Sequence, residues 1–409
     1  MSLVFSLFAS IQVIEAQQID ILLKGGHVID PKNGIDSQMD VAIADGKIVK
    51  VAENISAEDV QQIIDVAGLY VTPGLIDLHT HTGNSLPWFA PDGFTFRAGV
   101  TTAVDGGSFG WRYYEMIEDV RVTSRTRVLA FLAIVGSKGM LEGGHSADLL
   151  MQDKSEYDAV MAAEKIRRHR DVLVGIKVWK SPDFDGIEQA VEAGRLADVP
   201  VMIDFGQHTP PLSLERLLLE VFRPGDIYTH AYAYHPHNRE AIVDENYRVR
   251  PHVWEARERG IIFDVGHGGG AFSFEGAVPA MEQGFFPDVI STDLHRNSMN
   301  GGAKDMANVM SKFLAMGMTL QQVIEASSWT PAQVIKREEL GNLSEGAEAD
   351  IAVFNLREGD FGFLDVRNRL LKGNRKLEAE LTIRAGDVVW DLNGLAGIPW
   401  EEGLPISGQ

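Results

Sequence analysis

The chain has 409 residues, 45% of them hydrophobic, enough for one large domain with an accessory domain or for two to three small ones, and too apolar for disorder. A formal net charge of −21 repels nucleic acid and anionic membrane surfaces, so neither is expected as a partner. The absence of cysteine excludes disulfides, thiolate metal ligands and a cysteine nucleophile, which leaves histidine, carboxylate or a modified side chain to hold any metal.

The chain opens on an apolar stretch, Leu3 to Ile14, followed by Ile14-Glu15-Ala16 before Gln17-Gln18. Residues 1–18 are read as a signal-peptide remnant, which makes the mature protein periplasmic or secreted. The basic n-region is missing, since Lys24 is the first basic residue, and the alternative is a short buried segment of a cytoplasmic protein. No later run is long and apolar enough to span a bilayer, so no membrane insertion of the mature chain is expected.

Residues 19–72 read as β structure. Ile19–Leu23, Val28–Ile29, Met39–Ile43 and Lys47–Val51 are strand candidates, separated by turns at Gly25-Gly26, Pro31-Lys32-Asn33-Gly34 and Asp45-Gly46. From 73 to 343 strands and helices alternate. The strand candidates are Leu75–Leu78, Thr101–Asp105, Val128–Ile134, Val172–Val178, Val199–Phe205, Ile227–Ala231, Ile261–Val265 and Val289–Thr292. Helical stretches include Asp158–Arg168, Gly186–Ala197, Arg250–Arg259 and Lys304–Met316. Eight such units predict a (β/α)8 TIM barrel, with an open doubly wound sheet as runner-up. Residues 344–395 return to β character, with strands at Asp350–Phe354 and Leu381–Arg384 and a turn at Ala385-Gly386-Asp387 into Val388–Trp390. The two flanking segments, 19–72 and 344–395, are expected to form one small β-sandwich, and 396–409 a C-terminal tail. The predicted class is therefore α/β, a TIM barrel carrying that sandwich.

The chemistry is concentrated at strand ends, where a parallel barrel keeps its working residues. The run Val71-Thr72-Pro73-Gly74-Leu75-Ile76-Asp77-Leu78-His79-Thr80-His81 ends in two histidines one residue apart. On a strand such residues share a face, so two imidazoles can aim at one point, and neutral imidazole is a common zinc ligand. The fourth candidate strand ends at Lys177, the fifth at Asp204, the sixth at His230, the seventh at His267 and the eighth at Asp293.

The segment Pro73 to His81 resembles the entry motif of the amidohydrolase superfamily, and the resemblance covers nearly the whole mature chain. Asp-Val-Gly-His-Gly-Gly-Gly at 264–270, Ser-Thr-Asp-Leu-His at 291–295 and Gly-Ala-Glu-Ala-Asp-Ile-Ala-Val-Phe at 346–354 resemble its dihydroorotase-like and D-aminoacylase-like branch, an amidohydrolase/deacetylase family. That resemblance implies a binuclear centre of two divalent cations, zinc foremost, although manganese, iron and cobalt suit the same ligands. It puts His79, His81 and Asp293 on the first cation and His230 on the second, and implies that Lys177 is N-carboxylated into a bridging carboxylate. Where the family has a histidine on strand five, this chain has Asp204. Asp204 takes the ligand role, or His208 swings in, or the second site is weak or empty; Asp204 is preferred.

The implied reaction is hydrolysis of an amide, cyclic amide or ester bond in a small-molecule substrate by metal-bound hydroxide, with Asp293 as the proton carrier. N-acyl amino acids and acyl esters are the first substrate expectation, and a dihydroorotase- or hydantoinase-type cyclic amide is the alternative. His267, His295 and Tyr232 are candidates for substrate contact, Tyr234 could line the pocket, and Arg112, Lys180 and Arg296 could pair a substrate carboxylate. His267 could instead join the metal shell or merely pack. Gly266 to Ala271 also fits a dinucleotide fingerprint, but the loop follows the seventh strand rather than opening the first unit. An NAD-dependent oxidoreductase and a non-catalytic ligand-binding barrel are the remaining readings, and a homo-oligomer is left open.

Overall fold

The structure, a computed structural model, describes residues 18–82, 90–137, 153–206, 208–295 and 298–400. The proposed signal segment up to residue 17, the end of the tail and Arg296 lie outside the described residues. Among the described residues no helix is long and apolar enough to cross a membrane.

The N-terminal β segment folds as β1 (Ile19–Asp30), β2 (Ile35–Ala44), β3 (Lys47–Ala52), β4 (Val60–Asp65) and β5 (Tyr70–Pro73). Asp45 and Gly46 both have positive φ, as the tight hairpin between β2 and β3 requires. Gly25-Gly26 differs from expectation. The two predicted strands around it are one strand, and the glycines form a bulge between Leu23 and Gly26, with φ +78° at Gly25. A side chain at 26 would meet Val71 Cγ2 at 2.6 Å, so the bulge lets β5 approach β1.

The chain then enters a curled parallel sheet whose strands pair in sequence order. These are β6 (Leu75–Thr80), β7 (Val100–Gly110), β8 (Arg127–Ala133), β9 (Leu173–Trp179), β10 (Val201–Asp204), β11 (Ile227–Tyr228) and β12 (Ile262–Phe263). Several helices of this domain start where capping side chains sit. Asp158 accepts from Val160 N and Met161 N to begin Ala159–Arg168, Asp183 begins Phe184–Ala197, and Asp305 begins Met306–Ala315.

The predicted eighth strand is not regular. The segment 289–294 makes single parallel bridges, Asp264 to Val289 and Thr80 to Leu294, on opposite sides. The reason is local: Thr292 N donates to the Asp77 carboxylate (3.0 Å) instead of to a backbone carbonyl, and Asp293 has φ +46°.

The C-terminal segment forms β13 (Ile351–Leu364), β14 (Leu370–Arg384) and β15 (Asp387–Asp391). β13 pairs antiparallel with β5, which joins both flanking segments in one eight-stranded, mostly antiparallel sheet, separate from the parallel one. Its core gathers Leu23, Val28, Ile43, Val71, Val353 and Leu381. The β13–β14 hairpin is far longer than predicted, because residues 357–360 are exposed and polar and carry little apolar alternation.

Gly175 and Lys177 lie on the same face of β9. A side chain at 175 would run into the ring of Phe131 and come within 2.8 Å of Pro200 O. Phe131 is fully buried and the carbonyl is backbone, so neither can yield. Gly175→Ala is expected to cost about 1–3 kcal/mol of overpacking strain. A urea midpoint equal to that of the unaltered protein would show that β9 relaxes around the methyl group.

Candidate metal centre

β6 delivers His79 at its end and His81 just beyond it, with ring centroids 5.5 Å apart. Asp293 reaches them from the eighth segment. Its Oδ1 stands 3.0 Å from His81 Nε2 and 3.6 Å from His79 Nε2. The ligand atoms of these three residues all lie within 4.8 Å of one another, and all three residues are buried. Lys177, on β9, is buried and sets its Nζ 2.7 Å from His79 Nε2. His230 follows β11 with its ring 5.2 Å from that of His79, and its Nε2 stands 3.7 Å from Asp204 Oδ2 at the end of β10. The six predicted ligand residues thus form one chain of neighbours.

Their tautomers follow from what stands behind them. His79 Nδ1 lies 2.9 Å from Thr229 Oγ1, and that hydroxyl donates to Asp264 Oδ2 at 2.6 Å. The hydroxyl proton is committed, so Nδ1 carries hydrogen and Nε2 keeps its lone pair. His81 repeats the device. Its Nδ1 faces Ser108 Oγ at 3.4 Å, and Ser108 donates to Asp105 Oδ2 at 2.8 Å. His230 Nδ1 donates to the carbonyl of Gly266, which frees its Nε2 in the same way.

Electrostatics agree with a neutral His79 and with ionised Asp293 and Asp204. Burial, reinforced by the nearby Lys177, pushes His79 down to about 4. Burial alone would raise Asp293, but positive charge at His79, His81 and His230, the place a bound cation would take, holds it well below the usual carboxylate range. Asp204 behaves likewise, with His230, Arg239 and Lys177 outweighing burial. Burial lowers Lys177 against the pull of Asp293 and Asp204. Beneath the site Asp77, pushed up to about 7 by burial, ties β6 to Thr292.

The donor set fits a divalent cation. With Nδ1 protonated, His81 Nε2 and Asp293 Oδ1 are two acceptors facing each other at 3.0 Å, a contact that needs positive charge between them. Zinc bound at about 2.0–2.2 Å separates neighbouring ligand atoms by roughly 3–3.6 Å. Two glycines make room. A side chain at Gly106 would meet His79 Cδ2 at 2.6 Å, and one at Gly107 would meet Lys177 Cβ at 2.6 Å.

Two predicted substrate contacts are not at this face. His267 is fully buried and stacked on Phe272. Its Nδ1 donates to Gly268 O (2.9 Å) and its Nε2 accepts from Lys312 Nζ (2.6 Å), which leaves neither nitrogen for a substrate. Tyr232 lies in the core among Phe272 and Phe313, and its hydroxyl donates to Phe285 O. His295 does lie close, with its ring 6.3 Å from that of His81. His208 does not swing in, because its Nε2 is bonded to Phe205 O at 3.0 Å. Tyr234 stacks on Tyr247, Arg112 pairs with Glu156, and Lys180 sits beside β10 with its backbone N–H on Asp204 O. Sequence reasoning assigned no role to Asp105, Ser108, Thr229, Asp264 and Arg239, although Asp105 closes a candidate strand and Asp264 opens one of the quoted motifs.

Comparison with known proteins identifies the family. The profile described as "Amidohydrolase family" matches residues 273–389. A protein of Brucella anthropi named "Deacetylase" is 31% identical over 368 residues, 87% of this chain and 88% of the relative. Among solved structures, an adenine deaminase superposes with TM-score 0.80 at 26% identity, over 91% of this chain and 100% of the other. A dihydroorotase gives TM-score 0.77 at 28% identity, over 91% and 99%.

Thr229→Val keeps the shape but leaves His79 Nδ1 and Asp264 Oδ2 without their shared hydroxyl. Divalent-cation affinity is expected to fall about 10–100-fold. Isothermal titration of the metal-stripped protein with zinc measures it, and an unchanged affinity would remove the hydroxyl relay from the account.

Proposed function

The chain belongs to the amidohydrolase superfamily and is a metal-dependent hydrolase; from that premise we propose that it is a deacylase, removing an acyl group from the amide or ester of a small carboxylic acid. The observation that carries the reading is the inward turn of three imidazole Nε2 atoms onto Lys177, Asp204 and Asp293. The near full-length likeness to a deacetylase favours acyl transfer to water over ring opening.

We infer two divalent cations, with zinc first among the candidates. His79, His81 and Asp293 would hold one, and His230 and Asp204 the other. Lys177 would help hold both, once its amine adds carbon dioxide and releases a proton to become a carbamate. The present contact of the amine with His79 Nε2 supports the need for that change, since an ammonium there competes with a cation for the same lone pair. The segment 289–294, bonded to β6 on one side and to the end of β12 on the other, supports a closed (β/α)8 barrel. We take 73–343 as that barrel, and 19–72 with 344–395 as the accessory β domain.

When bound, the cations would supply Lewis acidity at the scissile carbonyl and a water acidified from about 15.7 toward about 7. The protein's own part is proton traffic and orientation. Asp293, ionised, accepts the proton of the attacking water and returns it to the leaving oxygen or nitrogen. The absence of a side chain at Gly268 leaves its Oδ2 room to turn, since a Cβ there would clash with it. His295, at the open edge beside His81, is the candidate for contact with the substrate's acid group.

Chelation is expected to abolish hydrolysis, and zinc to restore it. Asp293→Asn is expected to lower kcat by about 10²–10⁴-fold. A panel of N-acyl amino acids, acyl esters of hydroxy acids, dihydroorotate and hydantoin distinguishes the substrate readings. Turnover of the cyclic amides alone would replace the deacylase with the cyclic amidohydrolase that the dihydroorotase likeness suggests. Full activity after complete metal removal would end both.

A further inference from the structure

The sequence patterns do not single out Arg239, yet it is among the most enclosed charges in the chain, 5% exposed in an irregular stretch between β11 and the helix Pro251–Glu258. Its guanidinium lies 5.5 Å from the ring centre of Tyr228 and touches four acceptors. Nη2 reaches Tyr228 Oη at 3.1 Å, His230 O at 3.2 Å and Thr229 O at 3.4 Å. Nη1 reaches Asp204 Oδ1 at 3.4 Å. A buried guanidinium is costly unless paired, and its carboxylate partner here is Asp204.

Both ends of this contact matter to the same place. The other oxygen of Asp204 stands 3.7 Å from His230 Nε2. His230 itself has φ +56°, a left-handed conformation that a residue with a side chain adopts only when its surroundings hold it. Arg239 binds the carbonyls on either side of that residue's N–Cα bond, those of Thr229 and His230. One planar fork therefore fixes the carboxylate of Asp204 and the backbone that aims His230.

We propose that Arg239 is a positioning residue for the second divalent cation: it neutralises Asp204, so that a carboxylate can stand where an uncharged ligand would otherwise serve, and turns the free oxygen of Asp204 toward His230 Nε2. The inference rests on the two-cation reading above. It assigns no contact between Arg239 and substrate, and it makes Asp204 and Arg239 one unit, uncharged as a pair.

The test is zinc stoichiometry by elemental analysis and zinc affinity by isothermal titration, on the full chain after metal stripping. The unaltered protein is expected to bind two equivalents. Arg239→Met is expected to keep the first and bind the second at least about 10-fold more weakly. The same change made on Asp204→His is expected to cost the second site far less, because a neutral imidazole needs no compensating charge. A general packing defect would penalise both backgrounds alike. An equal loss in both, or no loss in either, overturns the proposal. Should Arg239→Met not fold, Arg239→Gln carries the same comparison, since it also removes the charge while filling much of the same space. Fewer than two equivalents on the unaltered protein overturns the two-cation reading itself, and is seen before any variant is made.

Discussion

Everything at this face depends on where three Nδ1 hydrogens go. Thr229, Ser108 and the carbonyl of Gly266 each take one, and so each imidazole is left with its Nε2 lone pair pointing inward. Two of the acceptors are hydroxyls whose own protons are committed to buried carboxylates, Asp264 and Asp105. A hydroxyl in that position passes on the preference of the carboxylate, and at His79 the carboxylate of Asp264 also stands 3.6 Å from Nδ1. The carboxylates are themselves anchored: Asp264 Oδ1 accepts from Ser291, and Asp105 Oδ1 accepts from Ser108 N. The orientation of the imidazoles is thus set within β7 and just past the ends of β11 and β12, and not by any one loop.

The accessory sheet and the helices lock the same face from outside. Lys312, on the helix Met306–Ala315, donates to His267 Nε2, Gly302 O and Leu364 O. Those acceptors belong to the loop after β12, the stretch beyond Asp293 and the end of β13. Burial pushes Lys312 down to about 7, while its three acceptors are the number an ammonium needs. Asp365, just past β13, takes the N–H groups of Phe274, Arg367 and Arg369 and so docks the hairpin on the parallel domain. The expectation that His267 serves the substrate fails for this reason: its ring is a structural link between the glycine loop and Lys312.

What was legible in the sequence is what strand periodicity and residue chemistry share. His79 and His81 are readable because i and i+2 face the same way, and Lys177, His230 and Asp293 because each closes an apolar run. The supports were not readable. Asp105 and Ser108 lie within β7, where every residue is buried and no pattern marks two of them. Arg239 sits in irregular chain. Tyr232 was expected beside His230, but the left-handed turn at His230 sends the next residues into the core. The eighth strand was misread as regular because its apolar content is that of a strand, while a side chain from β6 takes the hydrogen bond that a ladder would use.

Charge balance connects these points. Asp105, Asp204, Asp264 and Asp293 crowd behind or within the site, with Asp77, pushed up to about 7 by burial, below them. Arg239 offsets one. In the proposed reading Lys177 turns from a cation to an anion, which leaves about four negative charges in a low-dielectric pocket, where isolated ions are penalised heavily. Two divalent cations cancel that excess, and one does not. The same arithmetic explains why a carboxylate at the end of β10 comes with a buried arginine: without it, Asp204 would add a fifth charge that the cations could not match.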